Sequence, residues 1–487
     1  MKKYLHYIIG LAIMFGFRLI PEGVLPGVTP IGLSILGIFI GTIYLWSTVD
    51  PLTSSLIALV MVAFSGFAPI PAFTAAAMGA PVVVQLFFLM IFIAGLTNRR
   101  VTDYIGRYLI TRKFIEGRPW VFTAVILYGT FLISLFVNAF TPIFLFWPVI
   151  YSVAKEVGFE KDAKYVKLLL HAIVICALIG FPVPPYMSNG LALLANYRGL
   201  IEQFPNLAAM GAGIMVSDAS YFIACFTFGA VLVAIVIALM KFVWRPDVSP
   251  LKNVTVEMIN RNPLPPMNKA QKCYAIFLGI FIAIMLIPSL LPTLPVLSFL
   301  NKNSLLLGAL LVTILCVLRF DDGPVLRMGP TMGEFAWPTY WLCVSAIYLG
   351  NVLTDQSTGI TVLLNTILGP IFNGMSTTMF TVVVIAVCMV LTNISNSLVI
   401  GMILQPVILT FCNAQSINPA PIISLMIFAV LSSACATPAA SPFAAMLFGN
   451  KEYLSSGDVY KYSGLFIIVE LILVLVVGIP FFNMLIG

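Results

Sequence analysis

Charge is what this sequence has least of. Asp, Glu, Lys and Arg make up 9% of its 487 residues and 61% are hydrophobic, where a soluble domain carries about 25% charged residues. A chain this apolar cannot cover a water-facing surface, so lipid is its expected solvent. Histidine is scarcer still, with two in the chain. There is no HExxH, no acidic pair at ligand spacing and no Ser/His partnership, which leaves a membrane-embedded enzyme without machinery. The eight cysteines are scattered singly, with no CxxC and no Cys/His cluster. Cys176, Cys225, Cys316, Cys388 and Cys435 stand in apolar runs, as small buried hydrophobes outside any disulfide framework or metal site. A cleavable leader is also not expected: residues 1–7 are short and basic, and no small-residue cleavage site follows. The net charge of +7 does not imply a nucleic-acid partner, because the bases stand between apolar spans, where they mark orientation.

Apolar runs are what the sequence has in quantity. A helix crossing the hydrocarbon core needs about 20 apolar residues. Candidate spans lie at 4–20, 30–48, 53–67, 82–97, 168–197, 219–243, 273–291, 304–319, 336–353, 419–449 and 463–485, with a polar linker at 245–272. Two apolar blocks, 120–151 and 377–412, fit no single crossing. As straight helices they would run to about 45 Å and beyond, against a core of about 30 Å, yet they are too short to cross twice. Each has a poor helix centre, Asn138-Ala139-Phe140-Thr141-Pro142 in one and Thr392-Asn393-Ile394-Ser395-Asn396-Ser397 in the other. A re-entrant hairpin satisfies both facts, since irregular backbone at depth is tolerated where it lines a cavity.

With both blocks folded back and the N-terminus inside, all of the 25 Lys and Arg except Arg18, Arg198 and Lys302 fall on the inner side. Turning either block into a single crossing flips every later loop and spoils that sorting. The positive-inside rule therefore predicts an all-α membrane protein with about 11 transmembrane helices and two re-entrant hairpins, N-terminus cytoplasmic and C-terminus outside.

The hairpins belong to an internal repeat. Phe136-Val137-Asn138-Ala139 leads to Trp147-Pro148-Val149-Ile150, and Ile394-Ser395-Asn396-Ser397 leads at the same spacing to Gln405-Pro406-Val407-Ile408. The next span of each half breaks at prolines, Gly180-Phe181-Pro182-Val183-Pro184-Pro185 and Ala436-Thr437-Pro438-Ala439-Ala440-Ser441-Pro442. Proline removes a backbone donor and clashes with the preceding turn. The first hairpin opens from inside and the second from outside, so the halves are inverted. The predicted organisation is a leading helix (1–29), a first repeat (30–244, hairpin 120–151, broken helix 168–197), a cytoplasmic linker (245–272) and a second repeat (273–487, hairpin 377–412, broken helix 419–449). Inverted repeats with broken helices point to a secondary transporter and to its site. The alternative, that Asn138 and Asn396 are packing glue between helices, requires both hairpins and both breaks to coincide by chance.

Residues 356–450 contain no Asp, Glu, Lys, Arg or His. A charged substrate or ion bound there must meet neutral dipoles: helix N-termini for an anion, and unwound carbonyls and hydroxyls for a hard cation such as Na⁺. Ser395, Ser397 and Thr437 supply hydroxyls and Asn396 an amide.

At these residues the chain resembles the divalent anion/sodium symporter family, over nearly its whole length. That family carries Ser-Asn-Thr at each hairpin tip and Thr-Pro in the broken helix. Ser395-Asn396-Ser397 and Thr437-Pro438 match in the second half. The resemblance implies Na⁺-coupled, elevator-type transport of a di- or tricarboxylate-class anion by a lipid-embedded homodimer. It implies Na⁺ at Ser395, Asn396, the Ala436 carbonyl and Thr392, and a carboxylate facing Asn396, Ser397, Thr437 and Pro438. The first half departs: Val137-Asn138-Ala139 lacks both hydroxyls, and Phe181-Pro182 replaces Thr-Pro. Asn138, Ser134 and the Gly180 carbonyl remain for a weaker cation site, while Ala139, Phe181 and Pro182 make that end of the substrate pocket less polar.

Glu470, the one acid well inside a helix, reads less as a functional intramembrane acid than as a scaffold-helix residue that snorkels or makes a local hydrogen bond, His171 as interfacial, Asp218 as a helix N-cap, and 98–118 as an interfacial helix. Trp120, Trp147, Trp244 and Trp337 suit interfacial belts. Exchange or proton-coupled movement without Na⁺ is the competing reading within the same superfamily. A channel is disfavoured because the hairpin tips are dead ends.

Overall fold

The computed structural model describes residues 2–101, 104, 115–135, 139–160, 162–186, 188–201, 203–255, 257, 265–290, 299, 304–360, 362–363, 366 and 375–487. The fold is helical. In the first half run α1 (Lys2–Gly16), α2 (Pro30–Thr48), α3 (Pro51–Ala63), α4 (Ile70–Met78), α5 (Pro81–Asn98), α6 (Pro119–Ser134), α7 (Phe140–Glu156), α8 (Lys164–Gly180), α9 (Ser188–Ile201), α10 (Pro205–Ala209) and α11 (Asp218–Ala238). In the second run α12 (Lys269–Leu290), α13 (Ser304–Val317), α14 (Met328–Gly333), α15 (Trp337–Thr354), α16 (Thr377–Leu391), α17 (Ser397–Gln415), α18 (Ala420–Ser432), α19 (Pro442–Gly449), α20 (Ser456–Leu473) and α21 (Ile479–Ile486). A two-strand turn, β1 (Arg319–Phe320) with β2 (Gly323–Pro324), precedes α14. Residues 102–103 and 105–114 of the expected helix at 98–118, and 256 and 258–264 of the linker at 245–272, lie outside the described residues.

Proline and small polar residues set many helix starts. Thr29 precedes Pro30 and its Oγ1 accepts from the Gly32 N–H; Asp50 precedes Pro51 and accepts from Thr53 N–H. Both follow the N-cap and N1-proline rule. Among the described residues, three helices are long and apolar enough to cross a membrane unbroken: Asp218–Trp244, Ser397–Gln415 and Ser456–Ile486. Several other apolar helices are shorter, and broken or paired helices take the place of straight spans.

Each long apolar block is a helix pair, α6 with α7 and α16 with α17, the two members packed together. Each pair holds the first arm of the broken helix that follows: α8 packs on α6 and α7, and α18 on α16 and α17. The arms α8 and α18 also meet each other and are buried almost throughout. The final helix packs on this assembly, with α20 against α8, α16 and α19, and α21 against α11 and α18. That corrects its expected place among scaffold helices. A second group forms beside it, in which α1, α2, α3 and α15 pack in series and α5 packs on α13.

One polar tie fixes this second group. Arg99, buried at the end of α5, sends Nη1 to Asp322 Oδ2 (2.5 Å), Nε to the Val325 carbonyl (2.7 Å) and Nη2 to the Pro324 carbonyl. The guanidinium holds the Asp322 carboxyl below its usual range. A lowered carboxylate contributes stability that is complete at neutral pH and is lost only as acid takes the pH through the lowered value. Arg99→Ala is expected to cost about 1.5–3 kcal/mol, the worth of hydrogen bonds to a charged group. Thermal unfolding at neutral pH should show it, and an unchanged midpoint would deny the tie any role.

Candidate functional site

The second hairpin tip and the second break are stitched together by an asparagine. Asn393, buried just after α16, donates from Nδ2 to the carbonyls of Met389 (2.8 Å) and Ser433 (2.9 Å). Its Oδ1 accepts from the N–H groups of Cys435 (3.2 Å) and Ala436 (2.8 Å). Its own carbonyl accepts from Thr437 Oγ1 (2.6 Å). A helix that ends at Ser432 and restarts at Pro442 leaves orphan backbone groups in a buried place, and one primary amide answers three of them. Thr392 beside it donates to the Val430 carbonyl (2.8 Å).

Asn396 has a different task. Its Oδ1 accepts from Leu398 and Val399 N–H (3.0 and 3.4 Å), capping α17. The Ser397 N–H donates to the Ala440 carbonyl (3.2 Å) and the Ile400 N–H to the Asn396 carbonyl. The first-turn N–H groups of α17 are therefore occupied, and the expectation of free N–H groups for an anion is not met there. What points outward is the Asn396 Nδ2 and the Ser397 hydroxyl, neither bonded among the described residues. Ser441 caps α19 from Oγ to the Ala444 N–H (3.0 Å) and donates to the Ala434 carbonyl.

These groups open on a cavity of about 220 Å³ between the second tip, the start of α7, the two broken helices and the start of α15. Its polar lining is Asn189, Thr339, Asn396, Ser397 and Ser441. Its opposite side is aromatic: the Phe443 ring centroid lies 4.4 Å from Phe140 and 5.2 Å from Phe181. Every lining residue is uncharged. Asn189 and Thr339 likewise have no hydrogen-bond partner on their side chains among the described residues. A larger cavity of about 700 Å³, edged by Phe67, Gln203, Tyr348, Asn351 and Asp355, touches neither break nor hairpin tip.

The expected site residues fall into three sets. Phe181, Asn396 and Ser397 line the cavity. Ala139, Pro182, Thr437 and Pro438 do not. Ala139 is fully buried and Phe140 takes its place in the wall. The Pro182 carbonyl accepts from Tyr221 Oη (2.8 Å). Thr437 is committed to Asn393, and Pro438 is exposed on the outer side of the break. Of the expected cation ligands, Ser134 donates to the Thr130 carbonyl (2.9 Å) and the Gly180 carbonyl accepts from Val183 N–H (3.3 Å). Asn138 and Val137 lie outside the described residues. Thr392, Ser395 and Asn396 stand at the tip and Ala436 in the break, which Asn393 ties to that tip, and the Thr392 and Ala436 carbonyls accept no hydrogen bond among the described residues. That neutral, all-oxygen set has the chemistry a hard monovalent cation needs.

Other expectations are corrected. His171 is buried, its Nε2 2.9 Å from Ser463 Oγ, which donates to the Cys435 carbonyl. Glu470, by contrast, makes the local hydrogen bond expected of it, accepting from Ser432 Oγ (2.5 Å) at the end of α18. Ser217, not Asp218, caps α11. Trp147 is buried and donates to the Leu170 carbonyl (3.1 Å). Gly180 is where a side chain cannot go: a Cβ would stand 2.6 Å from the Phe131 carbonyl oxygen and 2.8 Å from Ser134 Cβ. Gly180→Val should push α6 off α8, costing about 1–3 kcal/mol for overpacking and disordering the first tip. Normal uptake by a fully stable variant would contradict that packing.

With the geometry in view, the comparisons can be read. A family model described as citrate transporter matches residues 40–394. The chain belongs to the citrate transporter family. It is thus a transporter, and with its apolar helices a multi-pass membrane protein. No curated protein matches it. Among solved structures, the YdaH transporter of Alcanivorax borkumensis matches with a TM-score of 0.59 at 13% identity, covering 94% of this chain and 97% of that one. Identity that low speaks for the fold alone, and that fold is a transporter's. The matched family region stops before Ser395, so the second tip and break carry their own argument.

Proposed function

We propose that this chain is a secondary active transporter of a small carboxylate-bearing anion, coupled to Na⁺. The observation that carries the reading is the uncharged cavity bordered by the second tip, the start of α7 and both broken helices, with the Ser397 hydroxyl and the Asn396 amide nitrogen unpartnered on its wall among the described residues. Both groups are open to the cavity, and a bound carboxylate gives each a hydrogen bond to a charged acceptor, about 1.5–3 kcal/mol. Na⁺ would sit behind it, at Thr392, Ser395, Asn396 and Ala436, supplying positive charge where no side chain does. Oδ1 of Asn396 is spent on its helix, so the carbonyls of Thr392 and Ala436 carry the larger share. Ser134, Asn138 and Gly180 would form the weaker first-half site.

The tip Ser395-Asn396-Ser397 and the Thr437-Pro438 break favour the divalent anion/sodium symporter branch of the superfamily. In this reading 30–244 and 273–487 are inverted repeats, about 11 helices cross, the two pairs are re-entrant, and the N-terminus is cytoplasmic with the C-terminus outside. The hairpin-bearing assembly moves as an elevator within a homodimer. Reporter fusions at Gly487 and within 245–272 test orientation; a cytoplasmic C-terminus would sink the two-hairpin topology. Uptake of labelled carboxylates by proteoliposomes tests coupling. Accumulation should follow an inward Na⁺ gradient and collapse with an ionophore. Uptake indifferent to Na⁺ would leave the exchanger or proton-coupled reading in its place.

A further inference from the structure

We infer that His171 and Ser463 are positioning residues for the proposed cation site, and that their hydrogen bond sets how tightly the second break holds sodium. The inference rests on the sodium reading above and adds to it two residues outside the proposed ligand set.

The peptide that joins Cys435 to Ala436 is held from both sides. Its carbonyl accepts from Ser463 Oγ on α20 (2.9 Å). Its N–H, that of Ala436, donates to Asn393 Oδ1 at the tip (2.8 Å). A trans peptide unit is planar and its two polar groups point in opposite directions. The two bonds therefore fix the plane and, with it, the Ala436 Cα. On the far side Thr437 Oγ1 donates to the Asn393 carbonyl (2.6 Å). Between these anchors the Ala436 carbonyl accepts no hydrogen bond among the described residues. Tip and final helix thus hold that oxygen in place and leave it open to a cation.

Donor counting gives His171 its part. A serine hydroxyl has one hydrogen, and the Cys435 carbonyl can only accept. Ser463 spends its hydrogen there and accepts from His171, whose Nε2 lies 2.9 Å from Ser463 Oγ. The imidazole is buried, and Tyr462 packs against it with ring centroids 5.6 Å apart. His171 belongs to α8, the first arm of the other broken helix. A continuous line of hydrogen bonds therefore runs from the first broken helix, through Ser463, to the peptide that carries Ala436. Glu470, about two turns along α20 from Ser463, meets Ser432, so the final helix backs the end of α18 as well as the break. Residues that fix the ligands of an ion in this way tune its affinity without touching it.

The test follows the thermal midpoint of the purified full chain as sodium chloride replaces choline chloride at constant ionic strength. The rise in midpoint gives the sodium concentration for half of the full stabilisation. Ser463→Ala and His171→Phe should each raise that concentration about three- to tenfold, the worth of one neutral hydrogen bond. His171→Gln, which keeps a side-chain N–H for Ser463, should stay within about twofold of wild type. A lower midpoint in choline with an unchanged response to sodium would show a purely structural role and overturn the inference, while the sodium reading stands. Should Ser463→Ala fail to fold, His171→Phe decides by the same readout, since it leaves Ser463 on the Cys435 carbonyl and removes only the donor behind it. Should wild type itself show no response to sodium, both the inference and the sodium reading fall.

Discussion

Asn393→Leu is expected to abolish uptake and to lower the thermal midpoint sharply. The amide meets the Met389 and Ser433 carbonyls and the Cys435 and Ala436 N–H groups within 3.2 Å. Leucine fills a similar volume but leaves the Ala436 N–H without its partner, while the Cys435 N–H keeps the Ser433 carbonyl (2.8 Å). At about 1–3 kcal/mol for that group and about 0.5–1.5 kcal/mol for each bond lost to the Met389 and Ser433 carbonyls, the loss is roughly 2–6 kcal/mol, a large part of the stability of an ordinary domain. Asn393→Asp separates the two halves of the task. Aspartate keeps the acceptor for Cys435 and Ala436 but turns an oxygen towards the Ser433 and Met389 carbonyls, so it should fall between wild type and leucine. Asn396→Ala gives the contrast. It removes a helix cap worth about 0.5–2 kcal/mol and one donor from the cavity, so the fold should survive while substrate affinity drops. Full uptake and an unshifted midpoint for Asn393→Leu would mean that the break holds its shape without the tip.

That ordering differs from what the sequence suggests. The motif reading gives Asn396 the leading part because Asn396 stands in the recurring tip. Asn393 is in the same helix-breaking centre, yet composition cannot say which of two asparagines three residues apart turns inward. A signal was present: an asparagine following an unbroken apolar helix, one turn before a capping asparagine, has few places to satisfy four hydrogen-bonding sites except another broken backbone. The two helix pairs and both breaks were legible because proline and helix length leave few alternatives. The aromatic wall was half legible. Phe181 stands in the departure from Thr-Pro, but Phe140 and Phe443 read as ordinary apolar residues until the fold brings them together. Asn189 and Thr339 were not legible at all, since each lies on a different element from the tips and only tertiary packing aims it at the cavity.

Gln405→Leu should destabilise the protein more than Trp147→Phe, although the two residues hold the same place in the repeat, directly before Pro-Val-Ile. Trp147 donates to the Leu170 carbonyl on α8, inside its own half. Phenylalanine keeps most of the ring packing and forfeits one neutral bond, about 0.5–1.5 kcal/mol. Gln405, fully buried, reaches across halves: its Nε2 donates to the Leu193 carbonyl (2.8 Å) and its Oε1 accepts from Asn196 Nδ2 (2.7 Å). Both partners lie on α9, which approaches so closely that a Cβ on Gly401 would stand 2.8 Å from Leu193 side-chain carbons. Leucine at 405 strands the buried Asn196 amide, whose Oδ1 already lacks a partner. The expected cost is about 1–3 kcal/mol for the amide alone, with the lost bond to Leu193 added. Removing both partners tests the cause. Asn196→Leu combined with Gln405→Leu should recover part of the loss, since replacing both members of a buried pair can be nearly neutral, and the cycle should be non-additive by about 0.5 kcal/mol or more. If the second hairpin and the first broken helix travel as one body, this bond does not break during transport. Maximal uptake rates of the folded variants, measured well below their midpoints, should then stay near wild type. Additive losses would show that the two amides act separately, and a large change in rate with the fold intact would place the Gln405–Asn196 contact at a moving boundary.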